Sequence, residues 1–294
     1  MNSVHTIGCS FTKWIYPTWS DYIQKHYYAE VHNLGFSASG NNIIKKKLYT
    51  IDKSEHVFIM FSGRDRHVQG IDGDFIRDNI DNSEINSNIL NNIKSETQSW
   101  FKNLAPMSAF VNTKSVTKHK TSKFHDHCQM LEEIYDCQNY LQAKGIDYNF
   151  SLWQGFYNDL SNPRNFLLKP RMNHDEYMKN PIYHKIFTSI DHGRFFQDIK
   201  KGIWEHMIGN KALVAVQSTI DRHPSTLCHF DYFKTYIKPI LDKKFPYKDN
   251  IDHLYAQAKK FSEYYKENCT EKLTYEYNEH IREKYFEIFE DLKK

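Results

Sequence analysis

The run His56-Val57-Phe58-Ile59-Met60-Phe61, closed by Ser62-Gly63-Arg64, decides the fold of this 294-residue chain. It is short, almost wholly apolar and bounded by turn residues. A strand of that kind has both faces covered, as in a parallel sheet held between two layers of helix, because a strand with one wet face would alternate apolar and polar residues. Working back from it, Gly40-Asn41-Asn42 opens an apolar-periodic helix, Ile43 to Ile51. Glu30 to Leu34 reads as a strand, Trp19 to Tyr28 as a helix opened by Thr18 or Ser20, and Val4 to Gly8 as the first strand. This βαβαβ rhythm predicts an α/β fold, a three-layer α/β/α arrangement around a mainly parallel sheet. Ligands of such sheets sit beyond the carboxyl ends of the strands. Ser10, Gly40 and Ser62-Gly63-Arg64 all fall at or just past those ends.

Forward of Arg64 the rhythm breaks. Over residues 65–123 Asn, Asp, Ser and Lys dominate, and a stretch that long inside a domain reads as a lid or an insertion. Phe124 to Ala143 follows as a helix with Met130, Leu131, Ile134, Tyr135 and Leu141 on one stripe, ended by Gly145, and Tyr148 to Trp153 is a fourth strand. Residues 155–194, with Asn162-Pro163 and Lys169-Pro170, read as a second irregular insertion. Phe195 to Ile208 reads as a helix, Asp221 to Ser225 as a turn into a helix from Thr226 to Leu241, and Ile251 to Lys294 as two charged amphipathic helices. The expected organisation is one α/β domain over residues 1–245, carrying both insertions, with a helical C-terminal extension over 246–294 packed on it.

Composition narrows the classes of function. Thirty-nine Lys and Arg against thirty-six Asp and Glu leave a net charge of +3, too little to call for a nucleic-acid or acidic-membrane partner. No run approaches the ~18 apolar residues of a membrane helix, and no basic-then-apolar signal segment opens the chain, so a cytoplasmic protein with no membrane partner is expected. The five cysteines are odd in number and scattered, without a CxxC pair, which suggests neither a disulfide framework nor a zinc site. The twenty Tyr, twenty Phe and five Trp read first as core and rim material, and second as rings able to stack on sugars. The oligomeric state has no signature in the sequence.

The residues that could carry chemistry are Ser10 in Ile7-Gly8-Cys9-Ser10-Phe11-Thr12, and the segment Asp221-Arg222-His223-Pro224-Ser225. Acyl transfer needs a hydroxyl nucleophile, an imidazole to take its proton and a carboxylate to fix the imidazole tautomer; Ser10, His223 and Asp221 supply these types. Pro224 fixes a turn and Ser225 caps the helix that follows, so His223 stands at a rigid helix entry. Cys9 competes as nucleophile but reads more simply as a small buried hydrophobe. His229 reads as a packing or hydrogen-bonding residue. Asn33, Gly35, Gly40, Asn41 and Asn42 form a donor-rich turn before a helix N-terminus. They suit an oxyanion or, less well, a phosphate, for which the GxGxxG spacing is lacking. The cluster His125-Asp126-His127-Cys128 invites a metal, but helical neighbours point about 100° apart, so a solvated helix start is the expectation. Arg64 and Arg66 could hold a substrate carboxylate or sulfate, or pair with surface acids.

Taken together these residues resemble the SGNH hydrolases, the GDSL-like lipases and esterases. Gly8-Cys9-Ser10 is similar to that family's Gly-Asp-Ser block, with Cys where Asp is usual. Asn33-Leu34-Gly35 through Gly40-Asn41 resembles the second block, whose glycine aligns with Ala38 or Gly40. Phe61-Ser62-Gly63-Arg64 stands in the place of the third block, without its Asn, and Asp221-Arg222-His223-Pro224 resembles the last. The resemblance is closest to divergent Gly-Cys-Ser-Phe-Thr members from viral and environmental sequences, and covers roughly residues 1–65 and 215–242. It implies a flavodoxin-like sheet and a serine esterase acting on O-acetyl esters, on a carbohydrate by analogy. Ser10, His223 and Asp221 would be catalytic, with an oxyanion and substrate site among Ala38, Gly40, Asn41, Asn42, Gly63 and Arg64. It implies no metal and no organic cofactor, a small-molecule or glycan ester as partner, and for a viral chain a place in the host cytoplasm or the virion. Two other readings stay open: an O-acetyltransferase acting on a glycan, and a non-catalytic carbohydrate-binding or virion-associated protein on the same scaffold.

Overall fold

The computed structural model describes residues 3–14, 16–36, 39–63, 123–155, 174–199, 201–209, 223–268 and 283–289. The fold is α/β. Four strands, β1 (Ser3–Gly8), β2 (Glu30–Asn33), β3 (His56–Phe61) and β4 (Asp147–Leu152), form an all-parallel sheet in the order β2-β1-β3-β4. That order is the start of the flavodoxin-like winding, whose switch point lies between β1 and β3. Here the register pairs Gly8 with Met60, so the chain leaves both strands at one level of the sheet.

Helices cover both faces, as the apolar run of β3 requires. Alternate side chains of β3 go to opposite cores: Phe58 and Met60 join Val4 on one face, while Val57, Ile59 and Phe61 join Ile7 on the other. On the first face lie α1 (Trp19–His26), with Trp19, Tyr22 and Ile23 buried, and the C-terminal helices. On the second lie α2 (Asn41–Leu48) and α3 (Lys123–Lys144), whose Met130, Leu131, Ile134, Cys137 and Leu141 form the buried stripe.

Two stretches differ from their sequence-based expectations. Part of the segment expected to be irregular over residues 155–194 is helical: α4 (His174–Tyr177) and α5 (Pro181–Ser189), then a 3-10 turn at His192–Arg194. Asn180-Pro181 is a helix start, because the Asn180 side chain accepts from the N–H groups of Ile182 and Tyr183 and Pro181 occupies a position needing no donor. Phe195 to Ile208 is not one helix. Phe195 pairs as a parallel bridge with Phe150, Asp198 adopts the left-handed conformation (φ 65°), and helix begins only with α6 (Ile203–Gly209). Gly202 lies so close to β4 that a Cβ there would stand 2.3 Å from the Leu152 carbonyl oxygen.

The helix expected from Thr226 to Leu241 is continuous but uneven. It comprises α7 (Thr226–Tyr232), a π-helical turn (Phe233–Ile237) and α8 (Lys238–Leu241). Pro239 removes an N–H and crowds the preceding turn, which is where the widening occurs. From the expected tail, α9 (Ile251–Asn268) and a short helix over 283–288 are described. Leu254, Ala258, Phe261, Tyr265 and Phe289 belong to the same buried cluster as Val4 and Trp19. The expected insertion over 65–123 lies, but for its last residue, outside the described residues. No described helix is long and apolar enough to cross a membrane.

Candidate active site

The turn that follows β1 is made by close packing. A Cβ at Gly8 would stand 2.1 Å from Thr12 Oγ1 and 2.9 Å from the Met60 carbonyl oxygen, so only glycine lets the chain fold back over the strand end. The N–H groups of Thr12 and Lys13 donate to the Cys9 carbonyl at 2.8 and 3.2 Å. Neighbouring segments then pin the turn: Asn33 Nδ2 and Thr18 Oγ1 both donate to the Thr12 carbonyl, at 2.9 and 2.6 Å, and the Phe36 N–H donates to Gly8 at 2.9 Å. Ser10 sits inside this turn and is only 4% exposed.

His223 reaches the turn from the far end of the chain. Its Nε2 lies 2.8 Å from Ser10 Oγ. When the hydroxyl donates, Nε2 is the acceptor and the imidazole proton is on Nδ1, the tautomer a general base requires. The ring is held on its faces as well: the Trp14 indole is stacked on it (centroids 3.9 Å, interplanar angle 23°), and Phe11 is tilted against it at 5.1 Å. The segment behind His223 is anchored on several sides. Tyr16 Oη donates to the Pro224 carbonyl at 3.0 Å, and Tyr22 Oη donates to the Thr226 carbonyl at 3.2 Å. Ser225 Oγ accepts from the Cys228 N–H at 3.0 Å, and Ser262 Oγ of α9 accepts from the Leu227 N–H at 2.8 Å. Asp221 lies outside the described residues.

Across the switch point, the segment after β3 is held by α2. Asn41 is fully buried; its Oδ1 accepts from the Ser62 N–H at 2.7 Å, and its Nδ2 donates to the Ser62 carbonyl at 3.4 Å. Ser62 Oγ donates to the Ser39 carbonyl at 2.6 Å. The Asn41 side chain, expected to face an oxyanion, thus pairs with the backbone of Ser62. Gly40 is the N-cap of α2, in ordinary extended backbone, and Asn42 follows in its first turn. Gly63 is buried just past β3. Ala38, Arg64 and Arg66 lie outside the described residues.

The competing residues fall elsewhere. Cys9 and His229 are both fully buried in the core on the α1 side of the sheet or beside it, and it is His223 that meets Ser10. The cluster at the start of α3 departs from a solvated helix start, since His127 and Cys128 are buried and His125 is exposed. Helical geometry turns these neighbours to different sides, so one face of the pattern goes inward. Among the described residues, no group of three or more His, Cys, Asp or Glu side chains is placed to hold a metal ion.

Three residues at this site were not visible as such in the sequence: Phe11, Trp14 and Tyr16. Their only signal is an aromatic spacing right after Ser10, in a chain with many aromatics. Aromatic rings continue away from the site, Phe11 against Trp153 at 5.5 Å and Trp153 against Trp204 at 6.0 Å. No family model matches the chain, and no curated protein or solved structure is significantly similar to it.

Proposed function

We propose that this chain is a serine ester hydrolase of the SGNH type, using Ser10 as nucleophile and His223 as base. The observation that carries the reading is the 2.8 Å contact between Ser10 Oγ and His223 Nε2, made by a buried serine at the switch point of a parallel sheet. In the proposed reaction Ser10 Oγ bonds to the ester carbonyl carbon as its proton passes to His223 Nε2. The tetrahedral intermediate collapses, the leaving alkoxide takes that proton, and acyl-Ser10 remains. Water then attacks the acyl carbon, again losing a proton to Nε2, which returns it to Ser10 as the acid departs. Asp221 is assigned the orienting role on Nδ1. Backbone N–H groups of Ser10 and Gly40 are assigned to the oxyanion, because the Asn41 side chain is engaged with Ser62. The O-acetylated carbohydrate substrate rests on the family resemblance and on the aromatic rings beside Phe11.

The test is hydrolysis of p-nitrophenyl acetate by wild type and by Ser10→Ala. Wild type is expected to turn over and the variant to fall to the background rate while keeping its melting temperature. Equal rates in the two proteins would remove Ser10 from the scheme.

A further inference from the structure

We infer that Trp14 is a positioning residue for the base: its indole fixes the plane of the His223 ring and thereby aims Nε2 at Ser10. The inference rests on the Ser10–His223 reading given above. Hydrogen bonds at the ring nitrogens, such as that between Nε2 and Ser10 Oγ, act in the plane of the imidazole and set where its edge points; the tilt of that plane is the freedom they restrain least. A face-to-face neighbour removes this freedom. Trp14 supplies it, with centroids 3.9 Å apart and planes inclined by 23°, while Phe11 meets the ring obliquely at 42°.

The source of this neighbour is informative. Ser10, Phe11 and Trp14 leave the same turn after β1, a turn whose shape is set by the close approach at Gly8 and by the bonds to the Thr12 carbonyl. The nucleophile and the surface that orients its base are therefore one rigid unit. His223, arriving from more than 200 residues later in the chain, is placed against both at once. Trp14 packs at the edge of the core formed by α1 and the C-terminal helices, so the indole is itself held. An electron-rich indole face also suits the imidazolium that forms when Ser10 loses its proton, a second effect that acts in the transition state and not on the bound ester.

Three proteins and two readouts test this. With p-nitrophenyl acetate, Trp14→Ala is expected to lower kcat by about 100-fold, the cost of misaiming a reacting group, with KM changed less than about threefold. Trp14→Phe, which restores a flat ring, is expected to recover at least about tenfold of that loss. A rise in KM with kcat unchanged would make Trp14 a wall of the substrate site and overturn the inference. So would a Trp14→Phe protein no better than Trp14→Ala at equal melting temperature.

The second readout needs no turnover: the ring proton signals of His223 in histidine-labelled protein. They are expected to carry the displacement caused by an overlying indole and to lose it and broaden in Trp14→Ala. Signals unchanged by the substitution would overturn the inference. If wild type itself fails to hydrolyse the ester, the proposed function falls, and the ring signals alone then decide whether Trp14 orients His223.

Discussion

Gly8 shows how much a single position can govern. Its missing Cβ is what lets Thr12 and the Met60 carbonyl close over the strand end, in the turn that holds Ser10. Gly8→Ala would force the Thr12 side chain away and press on the backbone of β3. Overpacking of this kind costs about 1–3 kcal/mol, so thermal unfolding is expected to show a clear fall in melting temperature, with ester hydrolysis lost more than in proportion. A Gly8→Ala protein with wild-type stability and activity would mean that the turn does not depend on this contact. At this scale the sequence was readable for Ser10 and His223, because a glycine before the serine and a proline after the histidine act locally on the backbone. It was unreadable for Trp14 and Asn41. Their roles arise from partners distant in the chain, the His223 ring and the Ser62 backbone, and no local spacing encodes those pairings.

The helix entry at α7 carries His223, the proposed base, and two serines from different elements hold it. Ser225 accepts from the Cys228 N–H and Ser262 of α9 accepts from the Leu227 N–H, so donors left open at the helix start are satisfied. Ser225→Ala removes one of them. A loss of about 1 kcal/mol in chemical denaturation is expected, together with a several-fold slower ester hydrolysis, since His223 stands two residues before the cap. Loss of stability with no change in rate would separate the cap from the site. The cap at Ser225 was legible because Ser ahead of an apolar-periodic segment is a helix signal; its partner Ser262 was not, since it lies in a different helix. The same distinction explains the two departures in the fold. Asn180-Pro181 carries loop-forming and helix-starting meanings alike, and the helical one prevails where Tyr183 is buried behind it. Phe195 has helix-compatible neighbours but pairs with Phe150 of β4, and turns, the left-handed Asp198 and the close approach of Gly202 to Leu152 take the place of a helix before α6.

At the scale of the whole molecule, the two ends of the sheet hold different clusters. The carboxyl ends of β1 and β3 lead to Ser10 and Ser62; at the other end His56, paired in register with Asp147, is fully buried. Lys244 lies against both: its ammonium donates to His56 Nδ1 at 3.1 Å and pairs with Asp147, which Arg194 also holds at 2.7 Å. An imidazole that accepts from an ammonium is neutral. Burial first, and then the charge of Lys244, push the His56 pKa down from 6.5 to about 3. Between those values the unfolded chain binds the proton and the native chain does not, so this residue makes stability fall as the pH falls from about 6.5 towards 3. From pH 6.5 to pH 5 its share is about 1–2 kcal/mol. Denaturation of wild type and His56→Gln at both pH values is expected to show a smaller acid loss in the variant; parallel curves would mean that His56 does not resist protonation. The parallel, doubly covered sheet was legible from the apolar run of β3 together with the strand and helix signals before it. The cluster at the opposite end was not, because it joins residues from β3, β4, the 3-10 turn and the segment after α8.

In the proposed reaction Ser10 is a nucleophile activated by His223. The most direct measurement is labelling of the folded protein with a fluorophosphonate, read by intact mass and by mapping the modified residue, in wild type, Ser10→Ala and His223→Ala. A single adduct on Ser10 is predicted in wild type, absent from Ser10→Ala and strongly slowed in His223→Ala. Folded wild-type protein that takes no label, or takes it on a residue other than Ser10, would contradict the account.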